Sequence, residues 1–293
     1  MKLYICKNIF IYFFMNLNSF PEYDSSKSKY YKKDIKLKMI NGEYIKCIFA
    51  QLLDLVIEKL SNDLKQRFCE NIKIAIFNSY YTNNAINDYI GQLKNLTKNV
   101  LITPGISNFL EKAKDYDISI YYESNGKGTI YSNEASLKKI GKLYSFCFSV
   151  NDCLILEFLS VFLNSFNKTS SDALSTMVVF EKTLKILNLS LNDVCNLIYE
   201  NPNEFRYVEV ENISKFKFDV ETSKITEPKQ FALELEEFFK NKGEDAKYYF
   251  KLYNDQKKIR IYVESLFQEN IKQIMKKIEK LIEVHNNNEI TLI

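Results

Sequence analysis

The run Glu123-Ser124-Asn125-Gly126-Lys127-Gly128-Thr129 is the densest collection of groups that can do chemistry in this sequence. Its Gly-Lys-Gly-Thr string invites comparison with a phosphate-cradling loop, in which backbone N–H groups surround a phosphate and a lysine neutralises it. Tyr121 stands where the first glycine of that motif belongs, so the reading fails. A second cluster, Glu22, Asp24, Ser25 and Ser26, gathers carboxylates and hydroxyls in a polar loop from Pro21 to Lys33. The only histidine, His285, falls near the C-terminus in what reads as a polar tail, which leaves almost no material for a histidine base or a histidine-ligated metal. The six cysteines form no C-x-x-C pair, and their spacing fits neither a zinc site nor a disulfide framework. Reduced, partly buried thiols and a cytoplasmic location are the expectation.

The elements that must position these groups follow from composition and pattern. The chain has 293 residues, enough for two domains and part of a third, and its 46% hydrophobic and 26% charged residues describe a folded globular protein. A net charge of +3 is too small to argue for nucleic acid or a membrane as partner. The apolar stretch Ile9–Met15 is too short to span a bilayer and lacks a small-residue cleavage site, so a buried strand is preferred to a signal peptide. After the Asn41-Gly42 turn, Ile45, Ile48, Phe49, Leu52, Leu53, Val56 and Leu60 mark one side of a helix. Strands are expected at Ile72–Phe77 and Asp117–Tyr122. Between them Ile106, Phe109, Leu110 and Ala113 form the inner face of a helix, and the alternation suggests an α/β layer. From Asp172 to Leu189 a helical pattern runs through Leu174, Met177, Val178, Leu184 and Leu187, and Ser190 with Asp193 reads as the cap of another helix that ends near Tyr199. A boundary falls near Asn201-Pro202. Beyond it come strands at Arg206–Glu211, Lys247–Phe250 and the alternating Ile259, Ile261, Val263. Helices are expected at Lys229–Phe239 and at the end, where Phe267, Ile271, Ile274, Ile278 and Leu281 face inward.

Asp117-Ile118-Ser119-Ile120-Tyr121-Tyr122-Glu123-Ser124-Asn125-Gly126-Lys127-Gly128-Thr129 resembles the D-I-G-V-Y-F-E-A-N-G-H-G-T segment of the phosphohexomutase family in its phosphoacetylglucosamine mutase branch. Thr103-Pro104-Gly105-Ile106, Ser171-Asp172-Ala173-Leu174-Ser175, Ile198-Tyr199 through Pro202-Asn203, and Glu227-Pro228-Lys229-Gln230 are similar to further family segments in the same order, together covering residues 40 to 285. The resemblance implies an α/β domain like the family's third over residues 40–195. It implies an α+β C-terminal domain with an antiparallel sheet and two helices over 200–285, a partial α/β remnant of the second domain over 1–38, and a tail at 286–293. In the family the Glu-x-Asn loop grips sugar hydroxyls, so Glu123, Ser124, Asn125 and Lys127 inherit substrate contact, Lys127 standing at the family's histidine. The phosphate loop R-P-S-G-T-E-D-x-x-R becomes Lys251-Leu252-Tyr253-Asn254-Asp255-Gln256-Lys257-Lys258-Ile259-Arg260. Lys251, Tyr253, Asn254, Asp255 and Arg260 are its candidate contacts. The Ser-Gly-Thr cradle is gone, and Asp255 places a negative charge near the phosphate.

The family's metal loop D-G-D-A-D-R corresponds to Glu22-Tyr23-Asp24-Ser25-Ser26-Lys27. Glu22, Asp24 and Ser26 are the candidate magnesium ligands, and with fewer carboxylates binding should be weak or lost. The plainer alternatives are a solvated loop for Glu22 and Asp24, a polar turn for Glu123 and Asn125, and a solvated strand edge for Lys251 and Arg260. The family interconverts the 6-phosphate and 1-phosphate of N-acetylglucosamine through a phosphoserine in a motif like T-A-S-H-N-P, on the way to UDP-N-acetylglucosamine. No such motif occurs in these 293 residues. The expectation is a chain inactive by itself that binds a small sugar phosphate, or a partner-binding scaffold. Self-association through the incomplete N-terminal sheet, around Ile9, Ile11 and Phe13, is expected too.

Overall fold

The computed structural model describes residues 3–5, 11–12, 37–96, 98–219, 224–242 and 246–287. The metal-loop candidates Glu22, Asp24 and Ser26 lie outside the described residues, as do the side chains of Ile9, Ile11 and Phe13. The chain divides into two units. One comprises Met1–Asn78, Asp88–Val100 and Gly105–Ile198, and the other Ser79–Asn87, Leu101–Pro104 and Tyr199–Ile293.

In the first unit β1 (Leu3–Ile5) pairs antiparallel with β2 (Ile11–Tyr12) and parallel with β3 (Leu37–Met39). Helix α1 (Gly42–Glu58) starts where the Asn41 side chain accepts the N–H groups of Glu43 and Tyr44 at 2.9 and 3.1 Å. It buries the stripe expected from its spacing, Ile45, Ile48, Phe49, Leu52, Leu53 and Val56. Phe49 sits among the rings of Tyr122, Phe162, Phe166 and Phe180 at 5.2–6.1 Å. The helices α2 (Asn62–Asn71) and α3 (Asn84–Gly91) frame β4 (Ile74–Ser79), and β5 (Lys98–Ile102), α4 (Ile106–Ala113), β6 (Ile118–Tyr122) and β7 (Gly128–Ser132) follow. The sheet runs β5–β4–β6–β7, with β4 and β6 parallel and β6 and β7 antiparallel. Every residue of β4 and β6 is buried, as the unbroken runs Ile-Ala-Ile-Phe and Ile-Ser-Ile-Tyr-Tyr require of central strands.

The helices α5 (Glu134–Leu143), α6 (Val150–Asn164), α7 (Ala173–Ile186) and α8 (Leu191–Cys195) complete this unit. The buried face of α7 departs from the sequence pattern. Thr176, Phe180, Thr183 and Leu184 are buried, while Leu174 and Val178 are more than half exposed. Phe180 reaches the Phe49 cluster, and that contact sets the rotation of the helix. Ser190 and Asp193 form the expected capping box, but α8 stops at Cys195 rather than near Tyr199.

The second unit is built on a three-stranded antiparallel sheet in the order β11–β12–β8, from β8 (Asn203–Glu209), β11 (Ala246–Tyr253) and β12 (Lys258–Ser265). A hairpin of β9 (Lys217–Asp219) and β10 (Lys224–Glu227) precedes α9 (Lys229–Lys242), and α10 (Gln268–Asn287) ends the described chain. Phe231 and Leu235 of α9 and Ile271, Ile274, Met275 and Ile278 of α10 share one core with Phe250, Ile259, Ile261 and Val263 of the sheet. Phe267 is exposed just before α10 rather than inward. His285 is no tail residue, since it lies in α10 with its ring edge-on to Phe231 at 5.8 Å. The alternation in β12 hides a second buried face, where Tyr262 and Glu264 are as enclosed as Ile261.

Candidate functional site

The loop after β6 is held in one shape by its own hydrogen bonds. The Glu123 N–H donates to the Lys127 carbonyl at 2.8 Å, and the Gly126 N–H donates to the Glu123 carbonyl at 2.8 Å. The Glu123 carboxylate accepts the Tyr121 hydroxyl at 2.6 Å and the Asn125 amide at 3.0 Å, while Asn125 Oδ1 accepts the Lys127 N–H at 2.8 Å. Tyr121 in turn accepts the Gly105 N–H at 3.0 Å. Burial, and then the neighbouring Glu123 charge, raise the Tyr121 pKa far above the ordinary phenol value, so this hydroxyl stays a proton donor. Two close approaches fix the loop from outside. A Cβ on Gly42 would lie 2.1 Å from the Glu123 carbonyl oxygen, and one on Gly128 would lie 2.1 Å from the Tyr121 carbonyl oxygen. The first turn of α1 therefore rests on the loop, with the Gly42 N–H pointing at the Ser124 carbonyl at 3.4 Å. Glu123 and Asn125 are half-buried, and Ser124 and Lys127 are exposed. The carboxylate keeps accepting capacity beyond its two bonds. All four residues sit at the carboxyl end of the parallel pair β4 and β6, the edge at which open α/β sheets present ligand loops.

Behind the loop lies a polar group that sequence reasoning missed. Lys46 of α1 is fully buried, and its Nζ donates to Asn78 Oδ1 at the end of β4. Asn78 passes the chain on, donating to Asn99 Oδ1 at 2.7 Å. Desolvation lowers the Lys46 pKa, opposed in part by Glu43 one turn earlier, itself buried. The one signal was a lysine inside the apolar stripe Ile45-Lys46-Cys47-Ile48.

In the second unit the segment expected to be the phosphate loop is the turn of a strand hairpin and the paired residues beside it. β11 runs through Lys251 to Tyr253 and β12 resumes at Lys258, which leaves Asn254, Asp255 and Gln256 in one 3₁₀ turn and Lys257 left-handed at φ 50°. The segment has neither proline nor glycine to interrupt the ladder, so pairing continues where a cradle would open. Lys251 and Arg260 are direct cross-strand partners. The Arg260 guanidinium packs on both the Tyr81 and Phe205 rings, 4.5 and 5.0 Å from their centroids. Lys251 extends over Tyr253 at 5.3 Å. Lys251, Tyr253 and Arg260 are thus brought together, with Asn254 and Asp255 at the turn. The Glu123 group belongs to the other unit.

Among the described residues, no group of three or more His, Cys, Asp or Glu side chains can hold a metal ion, and no helix is long and apolar enough to cross a membrane. No disulfide joins the five cysteines among them.

Comparison with known proteins matches residues 41–189, half of the chain, to the family described as phosphoacetylglucosamine mutase AMG1, domain III. The phosphoacetylglucosamine mutase of Candida albicans is 24% identical over 254 residues, which cover 86% of this chain and 45% of that protein. The Saccharomyces cerevisiae enzyme is 30% identical over 201 residues, 66% of this chain and 34% of that protein. The chain therefore spans less than half the length of these relatives. Among solved structures, an N-acetylglucosamine-phosphate mutase of the α-D-phosphohexomutase superfamily in its substrate complex superposes with a TM-score of 0.73 at 22% identity, over 85% of this chain and 45% of that one. The Aspergillus fumigatus N-acetylphosphoglucosamine mutase in complex with GlcNAc-6P and magnesium gives 0.72 at 21% identity, over 84% and 44%. These structural likenesses establish a shared fold.

Proposed function

The chain belongs to the phosphoacetylglucosamine mutase family, and from that premise we propose that its Glu123–Lys127 loop holds the sugar of an N-acetylglucosamine phosphate, while this chain by itself does not turn the sugar phosphate over. The observation that carries the reading is the Tyr121–Glu123–Asn125 network, a pre-set carboxylate and amide at the carboxyl edge of the sheet. Preset acceptors lose little freedom on binding hydroxyls, which is where rigid polar loops gain affinity. The family's reaction, exchange of phosphate between the 6- and 1-positions, needs a phosphoserine and cationic clamps besides a sugar grip. Taken by itself, the second unit offers a phosphate two cations, Lys251 and Arg260, with Tyr253, Asn254 and Asp255 beside them, and in the first unit Lys127 stands at the family's histidine. Magnesium would take hard oxygen donors from Glu22, Asp24 and Ser26, a set with two carboxylates and therefore low affinity. A cytoplasmic location, the role of residues 1–38 as a remnant of a second domain, and self-association through its sheet belong to the same reading.

A second reading, a partner-binding scaffold without ligand, is favoured by the closed hairpin at Asn254–Gln256, where the Ser-Gly-Thr cradle is lost. Calorimetry with N-acetylglucosamine 6-phosphate separates the two. Wild type should bind at a Kd on the order of millimolar, about 4 kcal/mol, and Glu123→Ala should bind several-fold more weakly. Equal titrations for both proteins would remove Glu123 from the site, and no heat from wild type at tens of millimolar would favour the scaffold.

A further inference from the structure

The sheet of the second unit has helices on one face only, and the other face carries an ordered ladder of rings and charges. Strand register sets four rows across β8, β12 and β11: Asn203–Glu264–Lys247, Phe205–Tyr262–Tyr249, Tyr207–Arg260–Lys251 and Glu209–Lys258–Tyr253. The segment Ser79–Asn87, part of the same unit, covers the first two rows. Tyr81 packs on Phe205, Tyr249 and Tyr262, and the buried Glu264 carboxylate accepts the Asn84 N–H at 2.8 Å. Lys247 ties the segment down through the Thr82 carbonyl at 2.5 Å.

The cover ends at Arg260, and the last two rows are open. Tyr207 is 55% exposed and Phe205 42%. The Tyr207 and Tyr253 rings lie 6.0 Å apart across Arg260, tilted by 54°. Rings raised on a sheet face and left in water are costly for folding, and they are the surface on which proteins stack heteroaromatic rings. Three cations, Lys251, Lys258 and Arg260, and one carboxylate, Glu209, stand in these two rows. Lys258 is paired with Glu209 at 3.2 Å, whereas Lys251 has only a ring contact; the Tyr81 and Phe205 rings, themselves 6.0 Å apart, pack on the Arg260 guanidinium from one side, and its Nε–H is without a hydrogen-bond partner. A sugar phosphate would use the two cations and leave the rings unexplained.

We propose that this open half of the sheet face binds a single nucleotide, its base on Tyr207 and Tyr253 and its phosphate on Lys251 and Arg260. The two rings are 6.0 Å apart, so together they offer a platform for one base rather than a track for several. The inference goes beyond the sugar-binding reading and does not rest on it: the two share Lys251, Tyr253 and Arg260, but Tyr207 takes no part in the sugar-binding reading.

NMR titration of the full chain with AMP, adenosine and ribose 5-phosphate tests it. AMP should bind about tenfold or more tightly than either fragment, since it alone offers both ring and anion. Tyr207→Leu should weaken AMP about tenfold and leave N-acetylglucosamine 6-phosphate titrations unchanged. Lys251→Gln should weaken AMP and flatten its salt dependence. Tyr207 is more than half exposed, so both variants are expected to fold, and circular dichroism checks it. Ribose 5-phosphate binding as tightly as AMP, or Tyr207→Leu leaving AMP affinity intact, would overturn the proposal. A four-residue oligo(dA) binding more than tenfold tighter than AMP would also overturn it, in favour of a strand-binding face.

Discussion

Lys46 is the residue whose environment conflicts most with its chemistry. A fully buried ammonium with one amide partner pays for desolvation that Asn78 and Glu43 offset in part. Its pKa is lowered in the fold from an ordinary value of 10.5. Between the lowered value and the ordinary one, the unfolded chain binds the extra proton and the native chain does not, so stability rises with pH across that window. The raised tyrosines act oppositely above about pH 10, where only the unfolded chain loses its phenolic protons. Comparison with Lys46→Met isolates the lysine. As pH rises toward the ordinary value of 10.5, urea melts should show wild type gaining stability relative to Lys46→Met. A pH-independent difference would mean that the amine stays charged in the fold. Glu123 offers the contrast of a side chain whose partners were legible. Tyr121, Glu123 and Asn125 alternate in sequence, so a bend at Gly126 brings them to one side, whereas Asn78 meets Lys46 only through tertiary packing.

At the scale of elements, what could be read was what repeats or caps. α1, β4, β6 and α10 carried unbroken runs or a helical stripe, and Ser190 with Asp193 marked α8. α6 escaped because Val150, Leu154 and Val161 are apolar yet exposed, which blurs the period that marks an inner face. The β11–β12 hairpin is tighter than expected because strand-forming Leu252 and Tyr253 carry the ladder past Phe250. The seam between α1 and the Glu123 loop depended on closeness that spacing does not reveal. Replacing Gly42 or Gly128 by alanine drives a methyl group to 2.1 Å from backbone oxygen, where no rotamer relieves it. Each should cost about 1–3 kcal/mol or more in denaturant melts. Gly141, inside α5 with nothing within 4 Å of a new Cβ, is the control. Gly141→Ala should stabilise by about 0.5–1 kcal/mol through helix propensity. Equal effects at Gly42 and Gly141 would mean that the seam is loose. If Gly42→Ala folds, its sugar-phosphate titration should weaken as that of Glu123→Ala does, because the loop rests on α1.

For the whole molecule the question is whether a chain with a proposed sugar loop and a pair of cations can move phosphate. Transfer between two sugar positions by this family's route requires a nucleophile that carries the phosphoryl group between them. Among the described residues the serines that meet carboxylates are occupied otherwise: Ser136, buried inside α5, donates to an Asp117 carboxylate that Lys139 already pairs at 2.7 Å. Ser149 with Asp152, Ser175 with Asp172, and Ser190 with Asp193 are the caps of α6, α7 and α8, each holding the first helical turn. A capping carboxylate held by N–H and O–H donors has its pKa lowered, as hydrogen bonds to Ser175 and Leu174 do for Asp172 and those to Ser190 for Asp193, so it is a poor base for activating its serine. His285 packs on Phe231 in the core of the second unit, so the one histidine serves packing. The purified chain should therefore show no conversion of N-acetylglucosamine 6-phosphate to the 1-phosphate, with magnesium and a sugar bisphosphate primer supplied. Phosphorus NMR follows both esters directly. Conversion above a no-protein control would refute the inactive reading. If it then persisted in Glu123→Ala, the chemistry would have to lie outside the loop on which the sugar-binding proposal rests.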